Sequence, residues 1–90
     1  MKKDSLALIN DALDTLELPV LISIKELKQR YKILASTYHP DLGGDSEKMA
    51  KINDAYRLLK NYMDNFKFSF TKEEIYKQFP QDDYVSRFRF

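Results

Sequence analysis

The 90-residue sequence has no cysteine, only one histidine and no long hydrophobic run. Without cysteine, the chain has no disulfide framework, no thiolate metal site and no cysteine nucleophile. This absence also fits a reducing compartment. The single histidine and the scattered carboxylates show no recognised metal-ligand spacing, so we expect neither a metal nor another cofactor. No run approaches the length that spans a bilayer, and a cytoplasmic protein without a membrane partner is expected.

Neither positive nor negative charge is in excess. The 15 Lys and Arg residues nearly balance 14 Asp and Glu residues, so the net charge of +1 does not identify a partner. The composition, 43% hydrophobic and 32% charged, is typical of a folded globular chain. We therefore expect a monomer with one small core, in which any electrostatic function depends on local charge patterning.

An amphipathic helix is predicted over about residues 4–16, followed by a connection that contains Pro19. The residue before a proline is disfavoured in the helical region, so the helix should end before this point. The apolar residues of the connection are expected to plug the end of the core. The apolar stripe of the helix comprises Leu6, Ile9, Leu13 and Leu16, and the connection contributes Leu18, Val20 and Leu21.

Two further helices should form an antiparallel hairpin, because their apolar stripes are complementary and a short loop joins them. The first begins at a capping box of Ser23 and Glu26 and stops before Pro40, and the second begins at Asp45 or Ser46. With the N-terminal helix lying across the hairpin, the fold class is all-α. The two stripes are Ile24, Leu27, Tyr31, Leu34, Ala35 and Tyr38, and Met49, Ile52, Ala55, Tyr56, Leu59 and Met63.

The chain changes character after residue 64. Phenylalanines alternate with polar residues over 66–70, which indicates an extended segment, and Thr71 with Glu74 predicts a short helix over about 72–79. We expect residues 1–64 to form the domain and 65–90 an aromatic-rich extension. Phe66, Phe68, Phe70, Tyr76 and Phe79 are expected to pack on the core as a cap; the alternative is a docking site for a client or another domain. For Tyr84, Phe88 and Phe90, disorder is a further alternative.

The turn between the hairpin helices contains His39-Pro40-Asp41. Pro40 fixes its own φ and restricts His39, so this loop should be stiff before any partner arrives and lose little entropy on binding. Asp41 can accept hydrogen bonds from a cationic partner. Lysines on the polar face of the preceding helix would favour encounter with an acidic protein surface. These lysines are Lys25, Lys28 and Lys32.

Residues from about Leu6 to Met63 resemble the J-domain of the DnaJ co-chaperone family. A lone His-Pro-Asp arises by chance, but here it lies between two helices that carry the family pattern in order and spacing. The matching segments are Glu26-Leu27-Lys28, Tyr31-Lys32, Leu34-Ala35, Tyr38-His39-Pro40-Asp41 and Ile52-Asn53-Asp54-Ala55-Tyr56.

The resemblance implies a protein that binds a DnaK-type chaperone and stimulates ATP hydrolysis on that partner, so the chain itself is expected not to be an enzyme. It implies no catalytic or metal-binding residue. Lys25 is added only because it shares the helix face. The partner-binding positions implied by the resemblance are Lys28, Tyr31, Lys32, His39, Pro40 and Asp41.

The sequence departs from the family pattern at three positions near this face. Ile33, Thr37 and Leu42 stand where the family usually has basic side chains, which thins the positive charge. Two other functions were considered. One is a small nucleic-acid binder that uses the basic helix face, although balanced charge and few donors for base edges argue against it. The other is a J-like scaffold that does not stimulate an ATPase.

Overall fold

The computed structural model describes residues 4–79 and contains four α-helices with no strand in that range. They are α1 (Ser5–Thr15), α2 (Ile24–Tyr38), α3 (Ser46–Asp64) and α4 (Lys72–Gln78), and one 3-10 turn, Pro40–Leu42, lies between α2 and α3. The all-α prediction is confirmed. Across the described range, no helix is long and apolar enough to cross a membrane.

Side-chain caps set the helix starts that the sequence predicted. Ser23 and Glu26 form a complete capping box at α2, and the Asp45 carboxylate accepts from two backbone N–H groups at α3. The Thr71 hydroxyl accepts from the Glu74 N–H at 3.4 Å and so caps α4. Each cap satisfies N–H groups that have no partner within their helix.

Helices α2 and α3 are antiparallel, as their side-chain contacts show. Tyr31 in the middle of α2 contacts Asn53 and Tyr56, whereas Tyr38 at its end contacts Lys48, which lies earlier in α3. Helix α1 packs mainly on α3. The predicted hairpin with a packed N-terminal helix is therefore confirmed.

The core forms where the three long helices meet, and it is entirely hydrophobic. Leu16 and Leu27 are fully buried, and no polar or charged residue among those described is buried with them. Partly buried tyrosines extend this core towards the surface between α2 and α3. The buried residues are Ala12, Leu13, Leu16, Leu27, Leu34, Met49, Ile52, Ala55 and Leu59.

Leu27→Ala should destabilise the domain by about 3 kcal/mol, because it leaves a cavity at a position with no solvent exposure. Ile33→Ala on the same helix is the matched control, since Ile33 is 57% exposed and should cost only about 0.5 kcal/mol. Urea unfolding followed by far-UV circular dichroism measures both. Equal losses in the two variants would show that Leu27 is not a core residue.

The prediction was wrong for apolar residues at the edges of the bundle. Leu6 is 68% exposed, because the part of α1 that reaches the core is its second half. Leu18 and Ile22 pack against the core from the two ends of the connection. Val20 and Leu21, which lie between them, are exposed and do not plug the core.

The predicted aromatic cap is also wrong for Phe66, Phe68, Phe70 and Tyr76, which are exposed, whereas Phe79 is half-buried. Phe66, Phe68 and Phe70 are all exposed over a segment without helix or strand, and α4 has no buried residue. Phe66 contacts the Tyr62 and Phe68 rings, so the segment begins against the end of α3 and then leaves the core. The interpretations of Tyr84, Phe88 and Phe90 concern residues outside the described range.

Candidate functional site

The loop at the tip of the hairpin has a defined backbone. His39 ends α2 in an extended conformation (φ −62°, ψ 128°), as expected for a residue before proline, and Pro40 occupies the first position of the 3-10 turn. The His39 carbonyl accepts from the N–H groups of Leu42 and Gly44, both at 3.0 Å. The Gly43 N–H donates to the Pro40 carbonyl at 3.1 Å. These bonds hold the loop without help from a partner.

The His39 imidazole belongs to the same loop. Its Nδ1 accepts from the Asp41 N–H at 3.2 Å, so the neutral ring carries its proton on Nε2. The Asp41 carboxylate lies 3.8 Å from Nδ1. The His39 side chain is 48% exposed and that of Asp41 is 89% exposed, so both can reach a partner.

The two glycines after this turn have different roles. Gly43 has φ +81° and nothing within 4 Å of where a Cβ would lie, so it supplies the left-handed conformation that ends the turn. At Gly44, a Cβ would lie 2.2 Å from the carbonyl carbon and oxygen of Tyr38. The loop therefore closes directly onto the end of α2. The sequence indicated a turn here but gave no sign of this close approach.

The predicted lysines come together on the exposed face of α2. Lys25, Lys28, Lys32 and Tyr31 line one shallow groove, together with Tyr56 from α3. Within residues 4–79, none of the three lysines forms an ion pair with a carboxylate. This surface therefore combines three positive charges with the rings of Tyr31 and Tyr56, and the charges are available to another molecule.

Tyr31 links this face to α3. Its ring stacks on Tyr56 with centroids 4.2 Å apart and planes 19° apart, and its hydroxyl donates to Asn53 Oδ1 at 2.7 Å. The prediction of a ring within the stripe is confirmed, and the hydroxyl is bound by Asn53. Asn53 and Tyr56 thus set the position of Tyr31, a role that sequence spacing did not reveal.

The lysine groove and the loop occupy neighbouring parts of the same helix. His39 follows Lys32 by seven residues, which is about 10 Å along the axis. Tyr38 connects the loop to α3 through Lys48, whose Nζ lies 4.8 Å from the Tyr38 ring centre. The predicted partner-binding residues are therefore arranged along α2 from its first turn to the hairpin tip, on a helix that packs against α3.

The site has the properties of a recognition surface. Over the described range, no group of three or more His, Asp or Glu residues is arranged to hold a metal ion. The exposed loop presents one imidazole and one carboxylate in a fixed backbone, and three lysines lie along the helix that precedes it. This arrangement can bind an acidic protein surface that also carries a cation opposite Asp41.

Comparison with known proteins identifies the family of the chain. The family model described as the DnaJ domain matches residues 11–65, which is more than half of the chain. A DnaJ-like protein of Mycoplasma genitalium is 49% identical over 49 residues, 53% of this chain and 16% of that protein. Chaperone protein dnaJ 3 of Arabidopsis thaliana is 36% identical over 69 residues, 77% of this chain and 14% of that protein.

A tetratricopeptide repeat and J domain-containing co-chaperone of Mycosarcoma maydis is 36% identical over 61 residues, 68% of this chain and 9% of that protein. The aligned regions thus span less than a fifth of these relatives. No solved structure matches significantly. The matched range contains the α2–α3 hairpin, the His39-Pro40-Asp41 loop and the C-terminal part of α1. By its sequence match and its helical arrangement, the chain belongs to the DnaJ-domain family.

Proposed function

We propose that this chain is a co-chaperone module that binds a DnaK-type chaperone and stimulates its ATP hydrolysis through the His39-Pro40-Asp41 loop. The observation that carries the proposal is the rigid, exposed loop at the tip of a hairpin in a DnaJ-domain chain. Relatives whose names include chaperone or co-chaperone support the same role.

The lysine groove would bring the partner to the loop. Its three positive charges, which have no carboxylate partner within residues 4–79, would accelerate encounter with an acidic surface and orient it, although they contribute less to final affinity than a buried contact does. The loop then contributes specificity, because its backbone is already ordered and little entropy is lost on binding. Asp41 would accept hydrogen bonds from a cationic group of the partner.

In this proposal ATP is bound and hydrolysed by the partner, and the chain itself is not an enzyme. Its role is to change the rate of a reaction at a site on another protein. The proposal also includes a monomeric, cytoplasmic protein, as expected from the sequence. Coupling to client folding or remodelling would follow from the partner's ATP cycle.

Reversing two charges in the groove tests this docking role. The double variant Lys28→Glu and Lys32→Glu should raise, by about tenfold, the concentration needed for half-maximal stimulation of a DnaK-type ATPase. Single-turnover ATP hydrolysis at low ionic strength is the measurement. Lys51→Glu is the control, since Lys51 is an exposed lysine of α3 that lies outside the groove.

Two results would contradict the proposal. If wild-type chain leaves the ATPase rate of its cognate chaperone unchanged, the chain is a J-like scaffold. If it binds duplex DNA in a salt-dependent manner that the double variant abolishes, and stimulates no ATPase, the lysine groove is a nucleic-acid site.

A further inference from the structure

An apolar groove lies at the end of the bundle away from the loop. Its deeper residues include Leu13 of α1 and Leu59 of α3, both buried, and its edges include Val20, Leu21 and Phe68. Tyr62, Phe66 and Phe68 form a chain of ring contacts along one side, with centroids 5.8 and 5.7 Å apart. The connection after α1 and the segment after α3 therefore build opposite edges of one surface.

This surface gathers several of the large hydrophobic side chains that the described residues leave exposed. Val20 is 87%, Leu21 85% and Phe68 75% exposed, whereas the core side chains of this domain are at most 9% exposed. Leu6 and Leu8 line an adjoining groove that shares Val20 with the first. A contiguous apolar patch of this kind on a small domain is typical of an interaction site.

The groove is well separated from the proposed chaperone-binding loop. Ile24, beside the groove, and His39 lie at opposite ends of α2, about 22 Å apart along the helix axis. A polypeptide in the groove would therefore not cover the loop. The groove and the loop can be occupied at the same time, whereas the lysine groove extends to Ile24 and so approaches the apolar groove at this end of α2.

Carboxylates border the apolar surface on the side towards α4. Glu26, Asp64 and Glu74 line a groove that shares Leu21 and Phe68 with the apolar one, and Lys77 is the only ammonium among the described residues lining it.

In each of these carboxylates one oxygen is held: by Ser23, by Lys60 at 2.7 Å, and by Lys77 at 3.0 Å. The bond from Lys60 to Asp64 raises the pKa of Lys60. The other oxygen of each carboxylate has no hydrogen-bond partner within residues 4–79. The three carboxylates are thus held in position, and each can accept a hydrogen bond from a further donor.

From this charge and polarity we infer that the groove binds an apolar polypeptide segment flanked by arginine or lysine residues. The apolar part covers the surface between Leu21 and Phe68, and the flanking cations bond to the open carboxylate oxygens. Such a segment, in a client or another protein, would be held beside the chaperone that the opposite end recruits. The binding itself does not depend on the proposed ATPase stimulation.

Binding of synthetic peptides to the full chain tests the inference. The probe has a central run of leucines flanked by arginines, and fluorescence anisotropy measures its affinity. Phe68→Ser should weaken binding by about tenfold, because Phe68 lines the groove, and its exposure makes unfolding of the variant unexpected. Phe70→Ser is the matched control, since Phe70 is 84% exposed on the same segment and does not line the groove.

Leucine peptides flanked by glutamates or by serines should bind more weakly than the arginine peptide, and added salt should reduce the difference. Equal affinity for all three peptides would overturn the inference. So would concentration-dependent dimerisation that Phe68→Ser abolishes, which would assign the groove to a second copy. Peptide binding seen only after deletion of residues 81–90 would assign it to the chain's own end. His39→Gln should bind the peptide normally, which separates this result from any loss of ATPase stimulation.

Discussion

His39→Gln is expected to reduce stimulation of a DnaK-type ATPase at least about tenfold while the domain stays folded. The half-exposed imidazole lies beside Asp41, and its loss would remove a contact with the partner that the lysines cannot replace. The backbone bonds from Leu42 and Gly44 to the His39 carbonyl do not involve the ring. The loop should therefore keep its shape.

A measurement of the free energy of unfolding distinguishes a loss of ATPase stimulation from unfolding of the variant. The ring accepts one exposed hydrogen bond, from the Asp41 N–H, so its replacement should cost no more than about 1 kcal/mol. Single-turnover ATP hydrolysis and urea unfolding are measured on the same preparations of wild type and His39→Gln. If the variant stimulates the ATPase as well as wild type does, the loop is not the effector. If it is unfolded, the imidazole has a structural role that its contacts do not suggest.

Gly44→Ala is expected to destabilise the domain by about 3 kcal/mol and to abolish stimulation. A Cβ there would lie 2.2 Å from the Tyr38 carbonyl carbon and oxygen, and backbone atoms cannot rotate away as a flexible side chain can. Because the Gly44 N–H donates to the His39 carbonyl, any shift also moves His39. This variant tests whether the geometry of the loop, as well as its composition, is needed.

Gly43→Ala is the matched control in the adjacent position. It has open space around the Cβ, so the only cost is the left-handed backbone conformation, about 1 kcal/mol. Urea unfolding and the ATPase assay measure both variants. We expect Gly43→Ala to keep most of its stimulation at a temperature where it is folded. Similar stability losses at the two positions would show that Gly44 does not approach Tyr38 as closely as the structure has it.

Much of the fold could be predicted because its signals are local. The capping box of Ser23 and Glu26 and the proline after His39 define α2 through residues a few positions apart. The site could be predicted as a set of residues for the same reason. Lys25, Lys28 and Lys32 repeat at helical spacing, and the structure brings them into one groove.

The predictions of burial were wrong where one helix or segment extends past the helices that would cover it. Leu6 has the spacing of a core residue, and Phe68 the hydrophobicity of one, yet both are exposed. A periodic pattern shows which side of a helix is apolar but does not show whether a second helix covers every turn of it. A docking site on the phenylalanines was the alternative that the sequence offered, but the contribution of Val20 and Leu21 to one groove with Phe68 was missed for this reason.

The amino-acid sequence by itself determined the helices, their starts and the loop His39-Pro40-Asp41, since capping, proline geometry and helical periodicity act between near neighbours. Tertiary structure alone decided the contact of Gly44 with Tyr38, the stacking of Tyr31 on Tyr56, and the exposure of Phe68. Each of these depends on the relative position of segments that are distant in sequence or that turn back on themselves, and their packing sets that position.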